Sequence, residues 1–291
     1  MKNLLIAVIF CFGLTISAQH RVGVRAGLNY SKFNGPVEPN ESYDITGGFH
    51  FGINYTYEFT SVFGLRGEIL YTQRGTKRSY DGKSYYIVNP IAPADIPTFV
   101  DYGDVLMDLK VSNAYLSIPI TAQYRLNRKF ELFGGISLDF VVGPTGTGKV
   151  KFVSDDDPNI NFTQSLDYRY SSDVVGQYNT FLSENILVNI DERLSTLPRI
   201  IGAYYNFPFP LDPEEDIPSL INGFDSHLIG GVNYFINSGF YVGARIEYGL
   251  LDTTNAAVDY SLGELDENEN YIFRDDSDKS FNLSLSFGFK F

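Results

Sequence analysis

The sequence predicts an all-β protein, an eight-stranded antiparallel transmembrane β-barrel with long extracellular loops, and three observations lead there. Eight stretches of about ten residues alternate apolar with small or polar side chains, and the connectors between them alternate short and long. The last stretch sets Phe281, Leu283, Leu285, Phe287, Phe289 and Phe291 on one face and Asn282, Ser284, Ser286, Gly288 and Lys290 on the other. Period-two alternation turns the first face to lipid and the second to the lumen, as a closed sheet in a bilayer requires.

Taken in order, Lys2, the apolar run Leu4 to Leu14 and the small residues Ser17 and Ala18 read as a signal peptide over 1–18, with processing before Gln19 and a barrel over 19–291. No stretch approaches the roughly 18 apolar residues of a helical span. The single cysteine, Cys11, falls inside the signal. The mature chain is therefore expected to hold no disulfide and no cysteine metal site.

Strands are expected near 20–33, 46–60, 62–74, 110–125, 129–145, 226–237, 239–251 and 280–291. Thr60-Ser61, Leu126 to Arg128 and Asn237-Ser238-Gly239 make tight turns, the last with hairpin chemistry. The remaining connectors are long, the main ones covering about 75–110, 145–224 and 252–279. An even strand count then puts all short turns and both termini in the periplasm and all long loops outside, so the expected location is the cell outer membrane. Within the longest loop, Asn161 to Tyr170 and Arg199 to Phe207 have strand-like content, Phe181 to Leu194 reads as a short amphipathic helix, and Asp212 to Pro218 as an irregular tether. Hairpins rising above the membrane explain this loop most simply; ten strands is the alternative.

Mean hydropathy is −0.10, as befits strands in which only alternate residues meet lipid. Charge is unevenly placed. The three long connectors carry 26 of the 35 acidic residues and sum to −15, while the rest of the mature chain is +1. An acidic exterior argues against nucleic acid and against simple electrostatic adhesion to anionic lipid.

The segments GVRAGLNYS (Gly23 to Ser31), GLRGEILYTQRGTK (Gly64 to Lys77), YLSIPI (Tyr115 to Ile120), Leu228 to Leu250 and FNLSLSFGFKF resemble the PorT-like outer-membrane β-barrel family of Bacteroidetes-type bacteria. The resemblance implies an eight-stranded outer-membrane barrel. It leaves out the longest loop, and it carries no activity to any residue.

The sharpest lumen feature is an Arg-x-Glu pair on each of two strands, Arg66 with Glu68 and Arg245 with Glu247, with Arg25 and Asp139 expected to join them. A barrel of eight strands is only wide enough for side chains to fill, so these opposed charges are expected to cross-link strands and close the lumen. A gated ion path is the competing reading.

GPTGTGKV (Gly143 to Val150) mimics a phosphate loop, but Val150 stands where the magnesium-binding hydroxyl belongs and no helix pattern follows. It reads as a flexible strand exit. Besides His20 at the processed terminus, only His50 and His227 are candidates for acid-base work in the mature barrel; His50 and Asp139 reach a similar height and suggest an acid-base pair, without a nucleophile motif beside it. The runs Asp155 to Asp157 and Asp266 to Glu269 lack the spacing of a calcium loop and read as solvated tips, with weak divalent bridging to lipopolysaccharide as the alternative.

The expectation is a non-enzymatic barrel without a cofactor. It would contact outer-membrane lipid and lipopolysaccharide and anchor acidic loops for envelope stability or for an extracellular or envelope protein partner. A small channel, transport or secretion-associated barrel is the alternative, and an outer-membrane enzyme stands behind both.

Overall fold

The computed structural model describes residues 19–88, 90, 92, 93, 95–169, 185–202, 221–257 and 259–291. The expected signal over 1–18 and the tether Asp212 to Pro218 lie outside the described residues, as does most of Arg199 to Phe207.

Every described element is a strand: β1 (His20–Asn34), β2 (Glu41–Asp44), β3 (Thr46–Glu58), β4 (Phe63–Val88), β5 (Phe99–Arg125), β6 (Phe130–Ser154), β7 (Asn161–Arg169), β8 (Ile186–Ile190), β9 (Arg193–Leu197), β10 (Ile200–Gly202), β11 (Phe224–Phe235), β12 (Phe240–Gly249), β13 (Tyr260–Leu265), β14 (Tyr271–Phe273) and β15 (Lys279–Lys290). Antiparallel pairing runs β1–β3–β4–β5–β6–β11–β12–β15, and β15 pairs back onto β1, so the hydrogen bonds form a ring of eight strands. β7 bonds to β6 and β10 and does not enter that ring.

Three four-residue turns join the strands at one end, and each is built by the same device. Thr60 Oγ1 accepts from the amides of Val62 and Phe63, Asn127 Oδ1 from Lys129 and Phe130, and Asn237 Oδ1 from Gly239 and Phe240, at 2.7–3.2 Å. A short polar side chain thus satisfies the donors that the reversing backbone frees.

At the other end the sequence reading needs correction. Most of the span 75–110 is strand and not loop: β4 and β5 keep one register from Phe63 opposite Tyr124 to Val88 opposite Phe99, with a gap in the ladder at Glu68 and Ile69 opposite Pro119 and Ile118, and only the stretch between Val88 and Phe99 connects them. Alternation continues there, but its sense reverses. Low on β4 and β5 the inward positions are Arg66, Glu68, Thr72, Asn113, Ser117 and Thr121, and the outward ones include Leu65, Ile69, Leu116 and Ile120. Higher up, Tyr80, Tyr86, Val105, Met107, Leu109 and Val111 point inward and are buried, while Lys77, Asp104, Asp108 and Lys110 face outward. Apolar-out suits lipid and apolar-in suits water, so the reversal marks where the strands leave the membrane.

β6 reaches the same result with a bulge. Ala114 faces Gly143 while Tyr115 faces Val141, which leaves Val142 as an extra residue. Inward parity shifts from Glu131, Phe133 and Asp139 to Val150 and Phe152, and Lys149 and Lys151 turn outward. Gly143 to Val150 is therefore strand, paired with β5 and, from Thr145, with β7, and not a flexible exit. An extended segment bonded on both edges has no amides free to cradle phosphate.

Above the membrane a conventional apolar core forms from Tyr80, Tyr86, Met107, Leu109, Val150, Phe152, Phe162 and Leu166, with Phe33, Tyr260 and Leu262 from other elements. The expected helix over Phe181 to Leu194 is corrected where it is described: Ile186 to Leu197 is the β8–β9 hairpin. Its β-branched alternation favours a strand, and Asp191 and Glu192, at φ of 49° and 61°, make the left-handed turn that suits strand twist.

Candidate functional site

The lumen at membrane level is filled by charge in three tiers. Lowest, toward the tight turns, Arg66 Nη2 donates to Glu131 Oε1 at 2.8 Å and Lys290 Nζ to Glu131 Oε2 at 2.8 Å. The buried ring of Tyr241 lies beside them, with the Arg66 guanidinium 5.8 Å from its centroid. Gly288 makes room for that ring, because a Cβ there would fall 2.1 Å from Tyr241 Cζ.

In the middle tier Glu68 accepts from Arg25 Nη1 at 3.1 Å and also from Arg245 Nη2. Arg245 Nη1 reaches on to Glu247 at 3.2 Å. Arg74 joins this tier to the uppermost one, lying 3.1 Å from Glu247 and 3.1 Å from Asp139, with its guanidinium 4.6 Å from the Tyr115 ring centroid.

All six residues singled out from sequence, Arg25, Arg66, Glu68, Asp139, Arg245 and Glu247, are buried. They do not form one cluster of mutual pairs: Arg66 takes Glu131, and Asp139 takes Arg74 and His227. Arg74 and Glu131, which the sequence reading missed, complete the arrangement together with His227 and with Lys290, which the alternation of the last strand turns to the lumen. Arg25, Arg66, Arg74, Arg245 and Lys290 face Glu68, Glu131, Asp139, Asp225 and Glu247, so the buried cations and carboxylates balance. Such balance is what lets charge persist in a dehydrated space.

The expected pairing of His50 with Asp139 is not what forms. Asp139 binds His227 Nδ1 at 2.6 Å from the neighbouring strand β11, whereas His50, on β3 across the ring, contacts Asn29 Oδ1 at 2.9 Å and Ser286 Oγ at 3.1 Å. Ser286, His50 and Asn29 stand in the order of nucleophile, base and orienting amide. Yet Ser286 Oγ also accepts from Arg25 at 2.6 Å, and the cavity beside His50 measures about 10 Å³. That admits about one water and no acyl group.

Below the lowest tier a basin of about 480 Å³ opens between the turns, lined by Arg21, Glu58, Arg125, Arg128, Lys129 and Lys290. It is basic, whereas the opposite end of the molecule is acidic.

A family model described as outer membrane protein beta-barrel domain matches residues 17–255. Among solved structures the chain is similar to Ail, the attachment invasion locus protein of Yersinia pestis, at 13% identity over 94% of this chain and 99% of that one, with a TM-score of 0.34. It is similar also to OprG from Pseudomonas aeruginosa, at 12% identity over 93% and 95%, with a TM-score of 0.33. The P. putida toluene transporter TodX aligns at 8% identity over 94% and 90%, with a TM-score of 0.25. No curated protein matches the chain.

Proposed function

Because the chain belongs to the outer membrane protein beta-barrel domain family and resides in the outer membrane, we propose that it is a non-enzymatic eight-stranded barrel whose work is done by what it holds outside the cell. In this reading the ring of strands is an anchor. The acidic apical sheet and its loops serve envelope stability or engage an extracellular or envelope partner, and lipid and lipopolysaccharide surround the apolar band. Within the family we group the chain with the PorT-like barrels, on the segments quoted above, which fall on β1, β4, β5, β11, β12 and β15.

One observation carries the proposal: the lumen is occupied twice over. Ion pairs fill it at membrane level, and above them Tyr86, Met107, Leu109 and Phe152 pack where a vestibule would have to be. A permeating solute would have to displace both, and desolvated ion pairs do not part cheaply. The same lack of room speaks against catalysis at Ser286 and His50.

Planar-bilayer recording tests it. The intact protein should give no stable conductance, while Arg245→Ala combined with Glu247→Ala, which removes one cation and one anion from the middle tier, should give small flickering steps. Reproducible ion-selective steps from the unaltered protein would replace this reading with the channel.

A further inference from the structure

Above the membrane, the connector between β12 and β15 folds back against β2 and β4. There Asp259, Asp276 and Asp278 each present a carboxylate oxygen, all within 4.8 Å of one another. We propose that these three carboxylates bind one calcium ion, which pins this connector to the apical sheet.

The spacing suits the ion. Two oxygens bound to one calcium at about 2.4 Å lie at most about 4.8 Å apart. Burial then separates this group from an ordinary acidic surface: Asp278 is 0% and Asp259 5% exposed. Asp278 Oδ2 is held by Tyr43 Oη at 2.9 Å and Thr254 Oγ1 at 2.8 Å, but its Oδ1 is buried with no partner. The Asp259 carboxylate receives no hydrogen bond from any described residue, with only the guanidinium charges of Arg78 and Arg274 acting on it favourably. A bound cation would supply the interaction that these buried oxygens lack.

Charge gives the ion's valence. Arg78 is paired with Glu41 at 2.5 Å, and Arg274 with Glu41 at 3.1 Å and Asp276 at 2.5 Å. Among the described residues two guanidiniums thus face four carboxylates, a deficit that one divalent cation would fill. An all-oxygen donor set selects a hard cation, and donors on an irregular connector suit calcium better than the strict octahedron of magnesium. The runs Asp155 to Asp157 and Asp266 to Glu269 differ in kind, since they are largely exposed and their side chains bond within their own turns or to Lys83.

This site goes beyond the anchoring function and does not depend on it. The test is calorimetric titration of the full chain in detergent, stripped with a chelator, with calcium chloride in excess magnesium. One calcium per chain should bind. Asp259→Asn and Asp278→Asn should each weaken binding by about tenfold or more, and Asp156→Asn and Asp266→Asn should leave it unchanged. Absence of calcium binding overturns the proposal, as does equal loss from the two exposed-run variants, which would show diffuse attraction. If Asp278→Asn fails to insert, Asp259→Asn decides alone, because it removes a charge and breaks no hydrogen bond.

Discussion

Glu68 shows how one side chain ties three strands together. From β4 it accepts Arg25 of β1, two strands away, and Arg245 of β12, across the ring. Removing either partner leaves a buried charge exposed to nothing that compensates it, a loss of about 3–5 kcal/mol. We therefore expect Glu68→Ala and Arg245→Ala to be strongly destabilising singly and to show about 0.5–3 kcal/mol of coupling in the double variant, read from urea unfolding in lipid vesicles. Arg66→Ala with Glu247→Ala should come much closer to additive, since those residues take different partners. Coupling of the same size in both pairs would mean that the tiers act as a single cluster. Arg66, Glu68, Arg245 and Glu247 could be read from the sequence because each sits mid-strand among apolar neighbours of opposite parity. Arg74 could not: it stands where the outward face turns polar, and there a charged inward residue resembles the start of a loop. Glu131 is the second residue of its strand, where alternation gives too few repeats to fix a direction, whereas Lys290 closes a strand whose unbroken alternation turns it inward.

At the scale of elements, β15 was legible to its last residue and the upper halves of β4, β5 and β6 were not. Both have period two. In β15 the apolar set keeps one face throughout, whereas in β4 it changes sides between Tyr71 and Tyr80, and in β6 the bulge at Val142 changes the counting itself. A rule that asks only for apolar residues facing lipid stops at the change. The longer strands sharpen the topology into a measurement. With Cys11 in the expected leader, single cysteines can be placed at Asp108, Ile120 and Asn127. On intact cells a membrane-impermeant maleimide should label Asp108→Cys, should reach Asn127→Cys only after lysis, and should fail at Ile120→Cys in lipid. Labelling of Asn127→Cys on intact cells would reverse the orientation of the barrel.

For the whole molecule, the eight-strand ring and the apical core are separable in principle, because they bury different side chains in different media. Joining Thr76 to Val111 and Val142 to Asn222 through short turns removes most of that core and leaves every pair of the lower ring. Loop length itself affects stability only weakly. The shortened chain should still insert and keep its heat-modifiable migration on gels, and failure to insert would make the apical sheet part of the assembly nucleus. In the intact protein the reversal of faces works as a depth gauge. Each residue of strand rises about 3.3 Å, so sinking the barrel by two residues would draw Lys77, Asp108 and Lys110 toward hydrocarbon, and lifting it as far would leave Phe51, Leu116 and Ile120 nearer water. Neither shift is open to it. A bilayer of a different thickness must bend its own lipids to meet this protein, which cannot ride up or down to meet the bilayer.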